Sequence, residues 1–373
     1  MPAGASLSRL GYDTRSLRSA LVMRAVDALN PFKREREFEW TGPCVISSIA
    51  GLGDLFIHLP LIAGLVNECR RREIKVCIAL RPVHVEIGQR CGWDILPFDN
   101  ALEDFFKNPR ALRPGDSLGK MRHARQTAPR LWIDLTGNAV SALAIKFAGA
   151  KTLAARRTRG GRSLIDFPLP HAIQENEYSN RERVAEHLGG RLDFSVAGKL
   201  RGAAVADLAE TVVVCLTTAA RWKNWPLQNF RRLLERFPKN RFVLTGFRRE
   251  VTLEETKELE ALLRLPNVLD GLDRFSTDEL VRLIAHARAV VTNDTSVAHI
   301  ANLFEIRGAV LFGPVSPLTF ASPAGPKVFH DATCPFHPCV QWKCSNEANW
   351  CMRKISPESV GDYLATLPGF TEP

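Results

Sequence analysis

VVTNDTSVAHIANLFEIRGAVLFGPVSP, residues Val290 to Pro317, is the stretch from which the fold of this chain can be read. A short apolar run, Ala289 to Val291, leads through Thr292, Asn293, Asp294, Thr295 and Ser296 into helical spacing. A second β-rich run, Ala309 to Phe312, ends at Gly313 and Pro314. The pattern predicts strand, polar turn, helix, strand. In a parallel α/β unit such a turn lies at the carboxyl end of the sheet, where the free N–H groups of a helix start attract an anion.

The same alternation extends upstream. Strands are predicted at Val212 to Leu216, Phe242 to Thr245 and near Val268, with helices from Leu227 to Phe237, Leu253 to Leu265 and Thr277 to Ala287. An earlier set starts with a strand over Cys44 to Ile49 and a tight turn at Gly51 and Gly53 that places Asp54 near a helix start. Leu55, Leu59, Ile62 and Val66 give that helix an apolar face, and Pro60 is expected to disturb its first turns. Further strands are predicted at Ile74 to Leu80 and Leu131 to Leu135, the latter followed by the turn Thr136, Gly137, Asn138. Strands alternating with helices imply parallel sheets, and two such sets imply an α/β chain of two Rossmann-like lobes facing a cleft.

We place the boundaries at a basic N-terminal extension over 1–38, a first lobe over 39–195, a second over 196–333, and a cysteine-containing segment over 334–373 that packs back on the lobes. The pattern weakens between Glu186 and Asp207, which marks the linker. The extension reads as a disordered or loosely docked addition ahead of a membrane-surface helix, because Arg18 and Arg24 fall within or beside its apolar stripe.

At 373 residues, 45% hydrophobic and 24% charged, the composition is that of a globular protein. A formal charge of +10 points to an anionic partner. No apolar run approaches the roughly 20 residues that span a bilayer, and no signal-peptide core is present, so a cytoplasmic location is expected. Nine cysteines, an odd number, fit reduced thiols. Cys334, Cys339, Cys344 and Cys351 could together hold zinc, but none of their gaps is a CxxC pair, and ordinary thiols are expected instead. Arg156, Arg157 and Arg159, in a loop that contains Gly160 and Gly161, suit capture of carboxylate or phosphate. A nucleic-acid partner is disfavoured, since the basic residues lack interleaved aromatics and only three tyrosines are present.

Three stretches together resemble glycosyltransferase family 9, the heptosyltransferases. They are Gly51 to Pro60, the run TTAARWKNWP from Thr217 to Pro226, and TNDTSVAHIAN with LFGPVSP. The resemblance runs from about Cys44 to Pro357, and its tail ends in Cys351, Met352 and Ile-Ser-Pro. It implies a GT-B fold with an acceptor lobe first and a nucleotide-sugar lobe second, no obligate metal and no cofactor. The implied reaction is inverting transfer of a heptose from ADP-heptose to the inner core of lipopolysaccharide, an anionic lipid-linked glycan, at the cytoplasmic face of the inner membrane.

On that resemblance Asp54, projecting from a loop at the cleft edge, is the base that takes the acceptor proton, against the plainer role of a helix N-cap. Lys223 faces the charge of the leaving diphosphate, and Thr217 and Thr218 offer it hydroxyls. Backbone N–H groups of Thr295 and Ser296 receive the pyrophosphate, and Asp294 either orients sugar hydroxyls or caps the helix. Arg156, Arg157 and Arg159 bind the acceptor. His299, one turn inside the helix, is expected to be structural. The chain departs from the family at Ser296, where glycine is usual, and a side chain there would crowd the phosphate or demand a φ that serine tolerates poorly. Two alternatives stand beside this reading. One is a related transferase with another nucleotide sugar. The other is a Rossmann-type oxidoreductase, although Phe56 fills the third position of a dinucleotide GxGxxG motif.

Overall fold

A computed structural model of the chain describes residues 27–28, 37–98, 123–137, 139–156, 162–172, 175–339, 344, 346 and 350–371. Nearly all of the 1–38 extension, together with Arg157 and Arg159, lies outside these residues. The chain divides into two compact units, Met1–Glu175 with Ser179–Val196, and Asn176–Tyr178 with Ala197–Pro373.

Unit 1 holds, in order, β1 (Cys44–Ser48), α1 (Leu52–Arg71), β2 (Val76–Leu80), α2 (Val85–Arg90), β3 (Ile95–Pro97), β4 (Leu131–Asp134), α3 (Ala139–Phe147), β5 (Thr152–Arg156), β6 (Phe167–Leu169) and most of α4 (Glu177–His187). All its strand pairs are parallel, in the order β3-β2-β1-β4-β5-β6. Apolar runs such as CVISS in β1 are buried along their whole length, as strands covered on both faces must be. Trp132, Phe98 and Ile145 centre the core on one face of the sheet.

Helix α1 runs unbroken through Pro60, against the expected disturbance. A proline inside a helix costs about 3 kcal/mol. Thirteen buried residues, from Leu55 to Cys69, offset this at roughly 1.5–3 kcal/mol for each large apolar side chain. Gly64 is needed for the fit, because a Cβ there would lie 1.7 Å from the Arg191 carbonyl oxygen. Among the described residues α1 is the one helix long and apolar enough to cross a membrane, and 72% of its most apolar window is buried inside unit 1. It meets that test by length and composition alone, as a buried core helix also does.

Unit 2 follows from α5 (Val196–Arg201) with β7 (Val212–Cys215), α6 (Leu227–Glu235), β8 (Phe242–Thr245), α7 (Thr256–Leu263), β9 (Val268–Asp270), α8 (Thr277–Ala285), β10 (Ala289–Asn293), α9 (Ser296–Leu303), β11 (Gly308–Phe312), α10 (Pro317–Phe320), β12 (Lys327–His330), α11 (Trp350–Lys354) and α12 (Pro357–Ala365). Its sheet, β9-β8-β7-β10-β11-β12, is again all parallel. The C-terminal segment packs on this unit: Met352, Ile355, Val360 and Leu364 join its core, and the Trp225 indole N–H donates to the Ile355 carbonyl at 2.9 Å.

Several boundaries differ from the sequence reading by a few residues, and two of them have a visible cause. Strand β10 continues through Thr292 and Asn293, which pair with Cys215 and Leu311 instead of entering the turn. Helix α7 starts at Thr256 and not Leu253, because Leu253 is 94% exposed and Glu255 turns back to accept from the Thr252 N–H.

Each sheet therefore has the order 3-2-1-4-5-6, an α/β arrangement of two Rossmann-like units. The progression of strand order reverses between β1 and β4 in one and between β7 and β10 in the other, with every strand still parallel. Ligands of such sheets bind outside the carboxyl ends of the strands at these switch points.

Candidate functional site

In unit 2 the switch point opens into a pocket of about 390 Å³ over the carboxyl ends of β7, β8, β9 and β10. Thr217, Thr218, Lys223, Asp294, Thr295 and Ser296, all selected from sequence, line it. Asn293 explains how they come together. Its buried amide donates to the Leu216 carbonyl at 3.0 Å, and its oxygen accepts from the Trp225 N–H at 2.9 Å. One side chain thus ties the end of β10 to the loop after β7.

That loop makes a short 3-10 turn, Arg221–Lys223, closed by the Thr218 N–H donating to Asn224 Oδ1 at 2.8 Å. The turn sends the Lys223 ammonium to Asp294, Nζ to Oδ2 2.6 Å, with the side chains 25% and 8% exposed. An ammonium and a carboxylate so placed fix each other at the pocket wall.

Thr295, and not Asp294, caps α9: its backbone is extended and its hydroxyl accepts from the Val297 N–H at 3.2 Å. Ser296 is the first helical residue and is absent from the residues with left-handed φ, so the strain expected of serine does not arise. Backbone here is ordinary helix start, with the partial positive charge that favours an anion. The two threonine hydroxyls are committed elsewhere. Thr217 donates to Glu250 Oε2 at 2.7 Å, and Thr218 donates to the Ala220 carbonyl at 2.7 Å. Both hydroxyls thus brace the pocket wall from within its lining.

Sequence reasoning missed Gly246, Phe247, Glu250, Asp273, Arg274 and Phe275, which line the far side of the pocket. The available signal was position, since they follow the carboxyl ends of β8 and β9. Gly246 has φ +124°, and a Cβ there would meet Thr217 Oγ1 at 2.5 Å. Cys215 lies beneath the pocket; burial raises its thiol pKa against hydrogen bonds from Thr295, Thr245 and Thr292.

In unit 1, Asp54 stands in the first turn of α1 and not on a loop. Its Oδ2 accepts from the Gly51 N–H at 3.2 Å, the reciprocal half of a capping box. One turn on, buried His58 shares Nδ1 with Ser48 Oγ at 3.1 Å and Nε2 with the Arg156 guanidinium at 3.3 Å. Burial, then the charges of Arg156, Arg181 and His171, pushes the His58 pKa well below its usual value and keeps the ring neutral. Arg156 is the last residue of β5 and only 6% exposed, not a member of an open loop as expected. Arg181 donates to the Ile57 carbonyl at 2.8 Å, fixing the same turn of α1.

On the opposite face of β1, Ser47 donates to Asp134 Oδ1 at 2.8 Å and Ser141 donates to Oδ2 at 2.8 Å. Burial raises the Asp134 pKa against these bonds. His299 pairs through Nδ1 with the buried Tyr178 hydroxyl at 2.8 Å, inside unit 2 and off the pocket lining.

The model of a family described as glycosyltransferase family 9 (heptosyltransferase) matches residues 131–349. A lipooligosaccharide heptosyltransferase 2 of Campylobacter jejuni is 26% identical over 151 residues, 39% of this chain and 47% of that protein. Lipopolysaccharide heptosyltransferase 1 of Pseudomonas aeruginosa is 24% identical over 223 residues, 54% of this chain and 55% of that protein. The chain thus spans about half the length of the curated relatives it matches. Among solved structures, Escherichia coli heptosyltransferase WaaC with ADP superposes with a TM-score of 0.68 at 17% identity, over 86% of this chain and 98% of that one. At such identity the likeness is one of fold.

Proposed function

This chain belongs to glycosyltransferase family 9, and on that premise we propose that it is an inverting glycosyltransferase moving a heptose from ADP-heptose to the lipopolysaccharide inner core. The observation that carries the reading is the unit 2 pocket, where the Lys223 ammonium and the start of α9 stand together at the β7/β10 switch point. A pocket of about 390 Å³ suits a nucleotide. Relatives named for heptose transfer, and a WaaC structure bound to ADP-2-deoxy-2-fluoro heptose, support the choice of donor.

The reaction is a single displacement at the anomeric carbon. The acceptor hydroxyl forms the new C–O bond as its proton passes to the Asp54 carboxylate, and the bond to the diphosphate breaks. Charge accumulates on the departing ADP. Lys223 and the N–H groups at Thr295 and Ser296 are placed for that charge, and Asp294 for sugar hydroxyls or for holding Lys223. Glu250, its Oε2 already held by Thr217, offers a carboxylate suited to ribose hydroxyls. The arginine run Arg156, Arg157 and Arg159 is assigned to the acceptor, whose carboxylates and phosphates match its charge. The net charge of +10 supports work beside an anionic membrane, at the cytoplasmic face where a lipid-linked acceptor would lie.

A thermal-shift screen of ADP-, GDP- and UDP-sugars, followed by transfer to heptose-free lipopolysaccharide, tests this. ADP-heptose should stabilise the protein and label the acceptor. Stabilisation by NADH alone, with every nucleotide sugar inert, would overturn it.

A further inference from the structure

The sequence places Asp54 and Arg156 a hundred residues apart and gives no link between them; the fold joins them through His58. His58 is one helical turn beyond Asp54, on the same side of α1. Its ring bridges the end of β1, at Ser48, to the end of β5, at Arg156. A guanidinium only donates hydrogen bonds, so His58 Nε2 must be bare and the ring proton must sit on Nδ1, donating to Ser48 Oγ.

We propose that His58 is a positioning residue of the acceptor site, holding the Arg156 guanidinium in a fixed orientation as an uncharged partner. A carboxylate at this place would hold the arginine too, and would cancel its charge. Neutral imidazole orients the fork without adding a negative charge of its own beside an anionic group of the acceptor. The burial of His58, then the electrostatic influence of Arg156 of β5, Arg181 of α4 and His171 after β6, act in the same sense by keeping the ring unprotonated. Arg181 adds a second constraint on that turn through the Ile57 carbonyl.

The inference rests on the acceptor role proposed for Arg156, and the test separates the two. The full chain and the variants His58→Phe, His58→Gln and Arg156→Gln are titrated by calorimetry with heptose-free, O-deacylated lipopolysaccharide, and separately with ADP. Phenylalanine keeps the ring's bulk but cannot accept; glutamine restores a neutral acceptor near Nε2. His58→Phe should weaken acceptor binding about tenfold or more, the scale of one hydrogen bond to a charged group, with ADP affinity unchanged. His58→Gln should return to within about threefold of the parent on the same scale.

Equal acceptor affinity in His58→Phe and the parent, with Arg156→Gln impaired, would overturn the role of His58 alone. Equal impairment of Phe and Gln variants, tracking a fall in melting temperature, would mark a packing role and overturn it as well. If Arg156→Gln binds acceptor like the parent, the acceptor assignment of Arg156 falls, and His58's with it.

Discussion

Removing the Lys223 ammonium gives the most quantitative test of the unit 2 site. The pair it forms with Asp294 is 2.6 Å long and mostly withdrawn from water. Two unit charges about 4 Å apart at an effective dielectric near 20 interact by about 4 kcal/mol, and the same scale governs the ammonium facing new charge on a diphosphate. Loss of one preorganised donor to a developing oxyanion costs about 10²–10³ in turnover. The two figures agree, so Lys223→Ala should slow transfer by about 10²–10³-fold in a single-turnover assay with saturating donor. Stability should fall as well, because Asp294 is left 8% exposed without its cation. That loss lies between the values for exposed and buried pairs, about 1–3 kcal/mol, or about 2–4 °C of melting temperature per kcal/mol. The double variant Lys223→Ala/Asp294→Asn strands no charge, so it should regain most of the melting temperature while turnover stays low. Single-turnover rates within about threefold of the parent, with ADP affinity intact, would refute the assignment of Lys223 to the leaving group.

Asp54→Asn should lose most transfer yet bind ADP normally, since only proton removal is disabled; undiminished turnover would sink the base assignment. Glu250→Gln should weaken ADP binding by about threefold to tenfold in calorimetry, because one charged hydrogen-bond acceptor is lost. His84, lowered to about 4 by burial and then by Arg81, is neutral in the folded protein but protonates near 6.5 when unfolded. Its contribution is therefore full above pH 6.5 and lost as pH falls toward 4, at most about 3 kcal/mol, and His84→Leu should flatten denaturant midpoints across that window. Thiol titration of the native protein at pH 8 should label the half-buried Cys339 and Cys344 first. Cys77 and Cys351, raised to about 11 chiefly by burial, should react only after unfolding.

The strand-helix alternation was legible because each strand of a doubly covered sheet must be a short apolar run. The turns after β1, β7 and β10 could be placed from this alternation, while the choice of Asp54, Lys223 and Asp294 within them came from the resemblance of those turns to the family's motifs. What could not be read was partnership across the chain. Thr217 could be chosen as a pocket residue, but nothing near it in sequence announced the hydrogen bond its hydroxyl donates to Glu250, 33 residues away. Arg156 looked like a loop arginine until β5 carried it to a histidine 98 residues earlier. Side-chain hydrogen bonds of this kind depend on which strands are neighbours, and residue type alone does not encode that. Ser296 illustrates the opposite error: the sequence suggested strain, but an ordinary helical N1 position removed it.

Helix α1 has one further consequence. It carries the proposed base at its first turn and is also the described segment apolar enough to enter a bilayer. Its safety depends on unit 1 staying folded, because opening the unit would release a 20-residue segment with a competing destination in lipid. Beside a membrane, unfolding would then become a one-way event governed by its rate and not by an equilibrium. Heating with liposomes should abolish refolding that succeeds in buffer alone, so that the protein's working lifetime would be set by how rarely α1 lets go of its sheet.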